Sequence, residues 1–266
     1  MTTTTLAFSA AFSIVTSALY LYMGSVLRRR AVSQDAKLAQ GMFVLWWESL
    51  GGLGLAGAGV QIIYAVRGGL PTWIYQAYVT FLLLVLFVAL WGLQFYLVYL
   101  YTGSRRTFVP LGAFYAVLYL ATLALIQWTW SQGPFEVVDN GWALRTEPTV
   151  QLGAAASLLF TIVLVGPQVF AAVAYALLFR KTSDRTQRYR IALVAGSIIV
   201  WFGSSILGTA AQVSTDLSWQ IISRSIGILG ALVILMAYKP PHWVRAKYGI
   251  RSIVDERPSG ANAAAG

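Results

Sequence analysis

Apolar residues run along this chain in long stretches, without the period of two or of 3.6 residues that marks a single buried face. Seven stretches reach the roughly 20 predominantly apolar residues that a helix needs to cross a bilayer core. They cover about residues 6–27, 41–65, 73–101, 109–130, 150–179, 191–213 and 217–238. The pattern predicts an all-α membrane protein, a seven-transmembrane helix bundle within residues 1–238. Residues 239–254 mix basic and aromatic side chains after Pro240 and Pro241, as an interfacial segment does, and the small, polar residues 255–266 read as a disordered tail. The first stretch follows an uncharged leader and carries its basic residues after the span, so it reads as retained rather than as a cleaved signal peptide.

The polar connections set the expected orientation. Arg28, Arg29, Arg30, Lys37, Arg105, Arg106, Arg180, Lys181, Arg185, Arg188 and Arg190 fall on alternate connections, and Lys239, Arg245, Lys247, Arg251 and Arg257 follow the last span. These are 16 of the 19 basic residues, whereas the opposite connections hold only Arg67 and Arg145. Short loops rich in Lys and Arg stay in the cytoplasm, which puts the N-terminus outside and the C-terminus inside. One connection is long. Residues 131–149 contain the turn signal Asp139-Asn140-Gly141 between 135–138 and 142–144, which predicts a small hairpin, either a surface cover or a lid over an outward-facing pocket.

Composition agrees with the pattern. Of 266 residues 58% are hydrophobic and 11% charged, against about 25% charged in a soluble domain, and the mean hydropathy is +0.68. The chain has no cysteine and one histidine, His242, so thiolate catalysis, iron–sulfur clusters and bis-histidine haem are excluded, and no metal or cofactor is expected. The net charge of +10 is spread over every cytoplasmic edge. The partner this implies is an anionic bilayer surface and not a nucleic acid. The location expected is the cytoplasmic membrane.

Polar groups inside spans are the informative ones. Glu48 lies in the second span and Arg224 in the seventh. At 1.5 Å per residue their levels differ by about 8 Å, near enough to couple if the two helices are neighbours. Alternatively Arg224 extends outward to Asp216 or a headgroup, and Glu48 is protonated and bonded to a neighbour. Gln94 and Gln168 lie deep, and Gly166-Pro167 before Gln168 interrupts the fifth span as a candidate hinge. Proline frees a carbonyl that a neighbour or water must satisfy. Trp47, Trp91 and Trp201 are deep enough to line a site for a flat apolar ligand, or to be ordinary core. Gly52 and Ala56, and Gly203 and Gly208, are candidate small-residue packing positions, within the monomer or in a homodimer.

An intramembrane hydrolase needs a nucleophile with a base, paired carboxylates or a metal cluster. The spans offer one carboxylate, no histidine and no cysteine, so enzyme activity is not expected. In layout the chain resembles microbial rhodopsins, but its seventh span has Arg224 and no lysine before Lys239, so covalent retinal is not expected. It resembles more the seven-transmembrane sensor modules of prokaryotes, through Arg185-Thr186-Gln187-Arg188-Tyr189-Arg190 at the entry to span six and Pro240-Pro241-His242-Trp243 after span seven. That resemblance implies a receptor-like or accessory module that senses a small or lipophilic ligand, or assembles with a membrane or cytoplasmic signalling partner. A small-solute transporter with a mid-depth polar site, and a purely structural subunit, remain the alternatives. No internal repeat of the transporter kind is evident.

Overall fold

The computed structural model describes residues 2–29, 36–132, 135–139, 144–148, 153–213 and 217–252. The helices are α1 (Thr2–Arg28), α2 (Lys37–Arg67), α3 (Thr72–Thr102), α4 (Phe108–Ser131), α5 (Ala154–Lys181), α6 (Arg185–Val213), α7 (Leu217–Tyr238) and α8 (His242–Tyr248). Strands β1 (Phe135–Asp139) and β2 (Leu144–Pro148) lie between α4 and α5. Among the described residues, five helical segments are long and apolar enough to cross a membrane: Thr5–Arg28, Lys37–Arg67, Thr72–Thr102, Phe108–Ser131 and Thr161–Lys181. In α7 the apolar stretch Arg224–Tyr238 is shorter. Large apolar side chains such as Phe81, Phe114, Leu120 and Ile199 point outward. Contiguous apolar surface of this kind is a liability in water and the ordinary solution against acyl chains. The chain is a multi-pass membrane protein.

The helices close into a ring. α1 packs on α2, α2 on α3, α3 on α5, α5 on α6, α6 on α7, and α7 returns to α1, while α4 leans on the outside of α3 and α5. Glycine ends three of the helices: Gly68, Gly103 and Gly249 adopt left-handed φ of 70°, 63° and 65°, and their N–H groups donate to the Tyr64, Tyr99 and Arg245 carbonyls.

The tightest contact in the ring is the antiparallel seam of α1 and α2. Leu6, Ala10, Ser13, Ser17, Tyr20, Gly24 and Leu27 are all buried and alternate by four and three residues, the 3.5-residue repeat of a coiled-coil face. α2 answers with Val44, Trp47, Gly51, Gly54, Ala58 and Gln61. A Cβ on Gly54 would lie 2.2 Å from Ser17 Oγ, and one on Gly51 2.7 Å from Leu21 Cγ and 3.1 Å from the Ser17 carbonyl oxygen. Within the single chain the close approach therefore falls at Gly51 and Gly54. Gly52 is exposed with nothing near it, and Ala56 is only half-buried. Nothing approaches Gly203 either, and the surroundings of Gly208 fall outside the described residues. The close approach of α7 to α6 is made instead by Gly230, whose Cβ would lie 3.2 Å from Val200 Cγ1 and 3.6 Å from the Ser197 carbonyl oxygen. Gly92 does the same for α3, 3.0 Å from the Met42 carbonyl oxygen of α2.

Three boundaries differ from expectation. α5 starts at Ala154 rather than near residue 150, because Gly153 is extended at φ −61°, ψ 159°. α6 starts at Arg185, one and a half turns before the apolar run, because Asp184 Oδ2 accepts the Gln187 N–H at 2.7 Å and closes the first turn. The hairpin forms, but its second strand is 144–148 and not 142–144: Phe135 pairs with Pro148 and Asp139 with Leu144. Tyr75 of α3 donates to the Leu144 carbonyl at 3.4 Å and moors the hairpin to the bundle. Residues 140–143 and the tail from 253 onward lie outside the described residues.

The seam makes a graded prediction for thermal unfolding in detergent. Gly51→Ala and Gly54→Ala should each cost about 1–3 kcal/mol by overpacking, whereas Gly52→Ala should be neutral or slightly stabilising. Equal losses at Gly51 and Gly52 would refute this register.

Candidate functional site

Arg224 is the basic residue that lies within a span, and Asp216, its candidate partner toward the outer end, falls outside the described residues. Arg224 sits on α7 toward the end of the bundle that the basic residues avoid, and Nη1 donates a long 3.5 Å hydrogen bond to Ser13 Oγ of α1. The guanidinium is also within electrostatic reach of the Tyr78 phenol of α3. Tyr78 in turn rests against Gly57 of α2, where a Cβ would come within 3.0 Å of its hydroxyl. Among the described residues Arg224 has no carboxylate partner. Toward the same end of the α1–α2 seam, Ser9 Oγ and Gln61 Oε1 are buried with no hydrogen-bond partner among the described residues. Hydroxyls of α1 and α3 thus stand near this one cation of α7.

Glu48 does not join it. Its carboxylate pairs with Arg28 at the basic end of α1, and its side chain crosses the face of Gly24, where a Cβ would lie 2.5 Å from Glu48 Cγ. Gly24, beside Glu48, and Ser13, beside Arg224, are about 16 Å apart along α1 at roughly 1.5 Å per residue. That is twice the separation expected from sequence. Glu48 reaches back along α1 to Arg28, and Arg224 lies toward the far end. The proposed coupling of the two is corrected by this geometry.

A second cluster fills the basic half of the ring. Trp46 and Trp47 of α2 are buried, and Trp46 meets Trp201 of α6 edge to face at 5.6 Å. Trp47 meets Tyr20 at 5.6 Å and Phe43 at 5.9 Å, and Phe43 stacks on Tyr96 of α3 at 4.3 Å. Tyr175 of α5 lies within electrostatic reach of Tyr96 and of Tyr238 on α7. Trp47 and Trp201 are thus brought together through Trp46, whereas Trp91 belongs to a separate contact with Phe95 and Phe108 and donates to the Gly112 carbonyl at 3.3 Å. Trp46 Nε1, Trp47 Nε1 and the Tyr175 hydroxyl are buried with no hydrogen-bond partner among the described residues. A buried donor left unpaired costs about 1–3 kcal/mol.

The deep glutamines bond within their own helices, Gln94 to the Leu90 carbonyl at 3.3 Å and Gln168 to the Leu164 carbonyl at 2.9 Å. Gly166 is exposed and Pro167 is buried inside α5. Proline at 167 deprives the Val163 carbonyl of its helical donor. Tyr115 of α4 supplies the replacement, a 2.7 Å hydrogen bond to that oxygen. The interruption is thus braced by a neighbour.

Sequence reasoning missed Arg28 as the partner of Glu48, Tyr78, Tyr115 and the serines of α1. The heptad spacing of Ser13, Ser17 and Gly24 was a legible signal; the tyrosines lie among many other span-end aromatics and carried none. No protein-family model, no curated protein and no solved structure matches the chain.

The brace predicts a double-mutant cycle. Tyr115→Phe should cost about 1 kcal/mol by orphaning the Val163 carbonyl. In a Pro167→Ala background, where the restored backbone N–H at position 167 again donates to that oxygen, the cost should fall by at least half. Additive losses in chemical denaturation would separate the tyrosine from the proline.

Proposed function

We propose that the chain is a seven-span receptor-like or accessory module of the cytoplasmic membrane, N-terminus outside and C-terminus in the cytoplasm, which binds a small ligand or a partner's acceptor group at Arg224. One observation carries the reading: among the described residues, a guanidinium inside the bundle has a long bond to Ser13 and no carboxylate partner. Removing such a charge from water costs several kcal/mol unless it is paired. An ionisable group at this depth is by default a site of function. Five N–H donors in a rigid fork favour an oxygen-rich acceptor such as a carboxylate or phosphate. The unspent indole and phenol donors of the second cluster favour a ligand with an apolar body, on the basic side of the same ring.

The orientation is supported by contacts that tie the basic helix ends to one another. Lys239 after α7 donates to Tyr22 Oη of α1 at 3.1 Å, Lys181 of α5 lies over the Tyr101 ring of α3, and Arg28 at the end of α1 holds Glu48, about three turns into α2. A single cationic end is what retention in the cytoplasm acts on.

Two experiments test these statements. The chain lacks cysteine, so single cysteines report topology without background. Gly69→Cys, between α2 and α3, should react with a membrane-impermeant maleimide in intact cells, and Ser104→Cys, between α3 and α4, only after permeabilisation. The reverse pattern would invert the orientation. For function, native mass spectrometry of the gently purified full chain should find a bound anionic small molecule or companion subunit that Arg224→Gln loses. A bare monomer for both proteins would count against binding at Arg224.

A further inference from the structure

A groove of about 550 Å³ opens at the basic end, between the end of α5, the start of α6, the end of α7 and α8. Its floor is apolar: Leu193, Met236, Val244 and Ile250. Its rim carries Arg185 and Arg188, three residues apart and so on one face of α6. Neither guanidinium forms an ion pair among the described residues. Each is held over a ring, Arg188 at 4.6 Å above Phe179 and Arg185 at 5.8 Å above Tyr248. Stacking of this kind fixes the position of the fork and leaves its in-plane N–H donors unspent. The Ser183 hydroxyl stands beside them. The nearest carboxylate in sequence, Asp184, is engaged with the Gln187 N–H on the first turn of α6.

The far wall is built in place. Arg190 Nη2 donates to the Arg251 carbonyl at 3.0 Å, and Ser252 Oγ to the Tyr238 carbonyl at 3.5 Å, which fold the segment after α8 back onto α6 and α7. Tyr189 donates to the Met236 carbonyl at 3.1 Å and ties α6 to α7. Burial raises that phenol above its ordinary range, so the link stays protonated near neutrality. Trp243, 61% exposed, and Tyr248 stand at the mouth, the aromatic types that settle at headgroup level.

We infer that this groove is a specific site for one anionic phospholipid, whose phosphate lies between Arg185 and Arg188 and whose acyl chain covers the apolar floor. Charge and shape select this occupant together. A free phosphate would leave the floor uncovered, and an apolar peptide would leave two guanidinium groups unpaired. The volume lies within the roughly 300–1,000 Å³ of ligand sites. Basic recesses between helices at the cytoplasmic surface suit such headgroups. The inference does not depend on the Arg224 reading, because the two sites share no residue.

The test uses the full chain in nanodiscs, where both leaflets are accessible. Phosphatidylglycerol with brominated acyl chains, mixed into phosphatidylcholine, should quench the fluorescence of Trp243 at lower mole fraction than brominated phosphatidylcholine does. The Trp243 signal is isolated by difference from Trp243→Phe. The double variant Arg185→Gln/Arg188→Gln should raise the half-quenching fraction about tenfold or more. Arg105→Gln/Arg106→Gln, at another basic edge, should leave it unchanged. Equal quenching by the two lipids in the wild-type protein would overturn the site without reference to any variant. An equal loss in the Arg105/Arg106 pair would reduce the effect to diffuse surface charge. Protection from quenching by inorganic phosphate at millimolar concentration would assign the arginines to a free anion instead.

Discussion

A backbone carbonyl inside a bilayer has no water to turn to, so each one must find a donor within the protein. In α5 this rule fixes the position of two neighbours. Pro167 removes the donor owed to Val163, and Tyr115 of α4 replaces it at 2.7 Å. One and a half turns beyond Gln168, Tyr101 of α3 donates to the Ala174 carbonyl at 2.7 Å. The helix that looks weakest in sequence is therefore clamped from two sides, and α4, which stands outside the ring, is held there partly by its phenol. The same rule governs the hydroxyls. Ser17 donates to the Ser13 carbonyl at 2.7 Å and Thr122 to the Leu118 carbonyl at 2.8 Å, so small polar side chains line helix contacts with their donors spent locally.

Lipid gives helices no hydrophobic reason to associate, and close packing of small residues takes that role. Gly51 and Gly54 against Ser17, Gly92 against the Met42 carbonyl, and Gly230 against the backbone of α6 are three separate places where a missing Cβ lets two helices approach. Between these thin contacts the ring is filled by large rings: Trp46, Trp47, Phe43, Tyr96 and Trp201 meet edge to face or stacked. Close approach at the perimeter and bulky aromatics at the centre belong together, since the first sets the room that the second fills.

The two ionisable residues of the spans then take opposite solutions. Glu48 reaches Arg28, which is 66% exposed, so its charge is balanced at the watery end. Arg224 meets Ser13 and the Tyr78 phenol inside the bundle. A pair close to solvent is a fastening between α1 and α2. A cation among hydroxyls keeps donors to offer, which is the basis of the binding role proposed for it. Arg185 and Arg188 differ again, because rings support them and their donors face a groove.

What the sequence determined by itself is the solvent and the scale of the molecule. The length of its apolar runs makes helices that span a bilayer, and the spacing of basic residues gathers one end, because both effects act on each segment separately. Pro167 foretold a carbonyl in need of a donor for the same local reason. Only the tertiary structure decided which residue met each need. The run from Gly51 to Gly59 fits small-residue spacing in several registers, and the Ser13–Ser17 face of α1 meets Gly51 and Gly54 rather than Gly52. Depth estimates put Glu48 and Arg224 near one level, but flexible side chains about 16 Å apart along α1 at 1.5 Å per residue follow their own neighbours. Partner choice inside lipid depends on which helix faces which and at what rotation, and no single stretch of chain carries that information.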